Sequence, residues 1–177
     1  MKTILRITAA GLALASFGIS SSASAATGSA QATAEILSTL NVAAVPGDNV
    51  LNFGDIAPTA SLVTTATVAV GHDGSRTCST ELACTGTTDA PTFNVTGLPN
   101  AQVAVSFPSS SATLTLGGTA PTGMASTMSV GTFTSSANTL TLTAGSAQFS
   151  IGGTLTVAAN QAPGVYTGSV NVEVLYN

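Results

Sequence analysis

The chain has 177 residues with three Lys or Arg, seven Asp or Glu and one His, and only 6% of its residues are charged. So few cations exclude a nucleic-acid partner, since nothing could displace counterions from phosphates, and they exclude electrostatic attachment to anionic lipid. Apolar residues at 44% separate it from disordered chains, and the length suits one domain.

Residues 1–25 read as a targeting segment. Lys2 and Arg6 form a positive start, Ile7 to Ile19 an apolar run, and Ala23-Ser24-Ala25 a small-residue cleavage site. Without it, Arg76 is the one Lys or Arg set against seven acids. No second run approaches the length of a membrane span. The expected product is therefore soluble, without membrane insertion, and exported through the inner membrane to the periplasm and then the cell surface or medium.

From Ala26 onward, short apolar-alternating runs are separated by Gly, Pro, Asn, Asp and Ser, the pattern of antiparallel strands. The first run, within residues 26–45, places Ala30, Ala32, Ala34, Ile36, Leu40 and Val42 on one side. Leu51, Phe53 and Ile56 mark a second strand ended by Pro58, and Leu62 to Val70 a third that leads into the turn Gly71-His72-Asp73-Gly74. Phe93 and Val95, then Val103, Val105 and Phe107, then Leu114 and Leu116 continue the series. Residues 117–127 read as a surface loop. Met128, Val130, Phe133, Leu140, Leu142, Phe149, Ile151, Leu155 and Val157 supply further inward positions, and Gly152-Gly153 predicts a bulge or bend. About nine strands at roughly ten-residue spacing predict an all-β, immunoglobulin-like antiparallel β-sandwich. The Cys…Trp…Cys pattern of antibody domains is missing.

Cys78 and Cys84 stand six residues apart in an exported chain, where a disulfide is the default reading. It would staple one loop rather than frame the domain. The rival reading, a metal site with His72 and Asp73, falls short of any standard zinc spacing. His72-Asp73 reads as turn chemistry. No G-x-S-x-G elbow or clustered base is present, so no enzyme activity and no cofactor is expected. Asn94-Val95-Thr96 matches a glycosylation sequon but reads as a strand end.

The final fourteen residues, Gly164 to Asn177, read as a closing strand with Val170, Val172, Val174 and Tyr176 on one face and Ser169, Asn171 and Glu173 on the other. Leu51-Asn52-Phe53-Gly54, Phe149-Ser150-Ile151-Gly152-Gly153-Thr154-Leu155 and the stretch from Gly164-Val165-Tyr166-Thr167-Gly168 to Tyr176-Asn177 resemble a secreted bacterial family, the domain of unknown function 4402. More loosely, the chain is similar to spore coat protein U-like subunits of archaic chaperone-usher pili, which share an alternating N-terminal segment and a closing strand with a penultimate aromatic and a glycine fourteen from the end.

With residues 1–25 read as a leader, that likeness implies 26–45 as a donor or first strand and 46–177 as a sandwich. The sandwich is then either complete in itself or completed by strand donation. Two functions compete. A fibre subunit assembled by donor-strand exchange would pair with copies of itself or related subunits and meet a periplasmic chaperone and an outer-membrane usher, with Gly164, Tyr166, Val170, Val172, Val174 and Tyr176 forming the chaperone-facing or sheet-closing strand. A self-contained binding module for a carbohydrate or surface partner would instead present a pocket or an aromatic platform. The absence of Trp and the core placement of most Phe favour the fibre.

Overall fold

The computed structural model describes residues 29–60 and 62–177. Its contacts divide the chain into residues 1–35 and 36–177. Residues 29–35 of the first unit form no strand. The described strands all lie in the second unit, the body.

The body is all-β among the described residues, and its strand ladders are antiparallel. Its spine is β11, Ser146–Ala158, thirteen residues long. The first half of β11 pairs with β6 (Thr92–Thr96) and the second half with β3 (Thr65–Val70), while its other edge is covered by β9 (Thr127–Ser135). The change of partner coincides with a register shift between Gly152 and Thr154. A Cβ at Gly152 would overlap the Val70 carbonyl oxygen and the backbone of Gly71 and His72. Only glycine admits so close an approach, so the Gly152-Gly153 irregularity expected from the sequence has a steric cause.

The same sheet extends from β9 to β8 (Ser111–Leu116) and β12 (Tyr166–Thr167). It extends from β6 to β1 (Asn41–Ala44) and from β3 to β4 (Arg76–Cys78). A three-stranded sheet places β7 (Gln102–Ser106) between β10 (Thr139–Thr141) and β13 (Glu173–Tyr176). A small ladder joins β2 (Asp55–Pro58) to β5 (Leu82–Thr85).

Inward residues gather in two cores. Val68, Val70, Val130, Leu155, Val157 and Phe53 form one, and Val95, Val103, Leu142, Phe149, Ile151 and Val174 the other. Each such side chain contributes about 1.5–3 kcal/mol on leaving water. Phe133 packs on the first core and Phe107 on the second, and their rings stack at 5.2 Å, so an aromatic pair joins the two.

Among the described residues thirteen strands replace the expected nine or so, because the cysteine stretch adds β4 and β5 and the closing run is divided. Leu51 and Phe53 lie outside any strand, although Phe53 is buried. The closing strand is also divided. The chain pairs with β8 at Tyr166–Thr167, makes no ladder at residues 168–172, and then pairs with β7 from Glu173. It passes from one sheet to the other.

Candidate functional site

That passage leaves an opening. Among the described residues β1 pairs with β6 alone, and β13 with β7 alone, so both are edge strands. Between the end of β1 and residues 166–170 lies a cavity of about 470 Å³, bounded by Ala44, Val50, Leu51, Phe53, Phe93, Leu114, Ile151 and Val170. It reaches residues of both cores. Its volume lies in the range of ligand pockets, and its walls are mostly apolar.

The wall at residues 50–56 is held without a long ladder. Asn52 bridges to Asp89, and its Oδ1 accepts from the Gly54 N–H at 3.0 Å. Gly54 has φ of 76°, and a Cβ there would run into the Arg76 guanidinium and the Thr85 carbonyl. The Arg76 guanidinium donates to the carbonyls of Phe53 (3.3 Å), Thr85 (2.7 Å) and Cys84 (3.2 Å). Beside it, Cys78 and Cys84 form a disulfide with Cα atoms 6.4 Å apart. Cys78 belongs to β4 of the large sheet and Cys84 to β5 of the small ladder. The bond therefore ties two sheets together, more than the loop staple expected from its short spacing.

The opposite wall is fixed by Tyr166. Its hydroxyl accepts from Gln161 Nε2 at 2.7 Å and donates toward the Ala162 carbonyl at 2.6 Å. Gln161 is the one buried polar side chain among the described residues, and its Nε2 also donates to the carbonyls of Ala125 and Thr127. This network pins the loop at 117–126 and starts β12 at a defined place. Gly164, just before, has φ of 142°, and a Cβ would meet Leu116. Farther along, Val170 and Val172 pack on the second core, Val174 is buried within it, and Leu175 points outward at 56% exposure.

The apolar row of the N-terminal segment divides. Val42 lies opposite Val95 in the β1–β6 ladder, and it and Leu40 pack on the second core of their own body. The row as a whole is thus not available to another copy. Ala30, Ala32 and Ala34 are exposed, and Ile36 is 94% exposed. Ser38 is held by Tyr176, whose hydroxyl donates to its carbonyl at 3.0 Å and accepts from the Leu98 N–H at 2.8 Å.

Asp73 shapes its turn by accepting from the Ser75 hydroxyl at 2.6 Å and the Ser75 N–H at 3.0 Å, and these bonds hold its carboxyl below the ordinary carboxylate range. His72 is exposed. Among the described residues no group of three or more His, Cys, Asp or Glu is placed to hold a metal ion. No described helix is long and apolar enough to cross a membrane.

Sequence reasoning named Leu51, Phe53, Phe93, Leu114 and Ile151 as apolar strand positions and Tyr166 and Val170 in the closing strand, but gave none of them a groove to line, and it missed Val50 as a wall and Arg76 and Gln161 as supports. A lone Arg or Gln carries no periodic signal, so only tertiary geometry reveals these roles. Comparison with curated proteins and with solved structures found no match. Residues 40–176, the body that builds both walls of the groove, match the family described as Domain of unknown function (DUF4402), and the chain belongs to that family.

Proposed function

We propose that this protein is a structural subunit of an exported surface fibre, in which the N-terminal segment of one copy fills the groove of the next. One observation carries the reading. The body has an open apolar groove beside edge strands, and the same chain carries an exposed alternating row, Ala30, Ala32, Ala34 and Ile36, that makes no ladder among the described residues. A strand added at an edge gains main-chain hydrogen bonds, and alternate side chains fill pockets and fix the register. Unpaired edges invite aggregation, which supports an escort such as a periplasmic chaperone, and delivery by an outer-membrane usher, before assembly.

The test uses the exported chain, the chain lacking residues 26–37, and Ile36→Asp. Burying Ile36 is worth about 1.5–3 kcal/mol, so Ile36→Asp should weaken exchange by at least about tenfold. Electron microscopy should show fibres for the parent chain and none for the deletion, and the deleted body should bind a synthetic peptide of residues 26–38. A parent chain that stays monomeric and a body that ignores the peptide would overturn the reading. Capture of a small apolar ligand in the groove, with no polymer, would favour a binding module instead.

A further inference from the structure

We infer that Tyr176 is a positioning residue for strand exchange: its phenol latches the root of the N-terminal segment and marks where the body ends and the donated part begins. This deepens the fibre reading and rests on it. One hydroxyl joins Ser38 to Leu98, donating to the Ser38 carbonyl at 3.0 Å and accepting from the Leu98 N–H at 2.8 Å. The pocket is built to fit. A Cβ on Gly97 would strike the Tyr176 hydroxyl and press on Leu40 Cδ1 and Leu142 Cδ1.

The apolar row changes fate at this point. Two residues after Ser38, Leu40 packs on the second core; two residues before it, Ile36 is 94% exposed. Alternation alone does not distinguish these residues, whereas the latch does. Held at Ser38, residues 29–37 would span roughly 30 Å when extended at about 3.3 Å per residue, enough to line a groove in another copy. A fixed root also lowers the ordering cost of docking, because the backbone at the start of the strand is already immobilised.

The test is Tyr176→Phe in the full exported chain, which keeps the ring and removes the hydroxyl. Gly97→Ala serves as a second variant that disturbs the latch from the opposite side. Hydrogen exchange at the Leu98 amide should accelerate about tenfold, the loss of one hydrogen bond. Thermolysin should cut faster between Ile36 and Leu40, and fibre growth should slow by about tenfold. Binding of the 26–38 peptide to the arm-deleted body should not change with Tyr176→Phe, because Tyr176 does not line the groove. Unchanged exchange at Leu98 in both variants overturns the latch. An opened latch with fibre growth at the parent rate overturns the positioning role alone. A parent chain that neither polymerises nor binds the peptide overturns the fibre reading itself, and it is told apart because the failure shows before any substitution is made.

Discussion

Replacing Arg76 with Met keeps an apolar stem of similar length and removes the guanidinium that holds three carbonyls. The Phe53 and Cys84 carbonyl bonds are part-buried, and the Thr85 bond is exposed. A hydrogen bond to a charged group is worth about 1.5–3 kcal/mol when sheltered, and solvent screening at a half-buried arginine reduces this to about 1 kcal/mol for each part-buried bond. The exposed bond adds little, so the expected loss is about 2 kcal/mol, or about 4–8 °C in melting temperature for a domain of this size. Calorimetry and urea denaturation of the parent and Arg76→Met read it directly. The same guanidinium fixes the Phe53 backbone, so the 26–38 peptide should bind the variant more weakly in proportion. Arg76 and the disulfide brace the same ladder, hence a cycle with the double Cys-to-Ser variant should depart from additivity by more than about 0.5 kcal/mol. A loss under about 0.5 kcal/mol with unaltered peptide binding would refute the clamp.

Replacing both Cys78 and Cys84 with Ser should cost about 2 kcal/mol by loop-closure entropy and leave a folded protein, checked by circular dichroism and thermal melting; an unfolded variant would contradict this. Tyr166→Phe should cost about 1–2 kcal/mol in urea denaturation, because the Ala162 carbonyl loses its donor while Gln161 keeps the Ala125 and Thr127 carbonyls. The bonds from the Ser75 hydroxyl and N–H depress the Asp73 pKa in the folded state. The stability they supply is therefore present above the ordinary carboxylate range and lost as pH falls through the folded value. NMR titration should place the Asp73 midpoint below that of an unstructured peptide, and the stability gap to Asp73→Asn should shrink on acidification. A midpoint at or above the peptide value would show that the turn does not hold the carboxylate.

The strands of the body were legible where one face is buried and the other wet. Val103 and Val105, Phe149 and Ile151, and Leu155 and Val157 alternate in sequence and are buried in the structure. Alternation records which face is covered, however, and not which strand supplies the hydrogen bonds. Val170 and Val172 keep the period although residues 168–172 lie in no ladder, because the chain there is passing from β8 to β7. Leu51 and Phe53 keep it too, held by the Asn52 bridge and the Arg76 clamp instead of by a strand partner. For the same reason the pattern could not divide the N-terminal row. Ile36 and Val42 share one period, but among the described residues only Val42 has a ladder partner, at Val95. The groove was illegible as a volume, since its walls come from six separated stretches of chain, at residues 44–53, 91–93, 114, 130, 151 and 166–170.

The partner change along β11 bears on folding kinetics. One continuous strand serves both cores: residues 65–70 and 129–135 close on it to build the first, and residues 92–96 to build the second. Contacts of such long range predict slow folding, and the shared spine predicts that the two cores melt together. A newly made chain is therefore expected to spend time with β11 unpaired, when its thirteen residues, among them Phe149, Ile151, Leu155 and Val157, are most open to pairing with another copy in the wrong register.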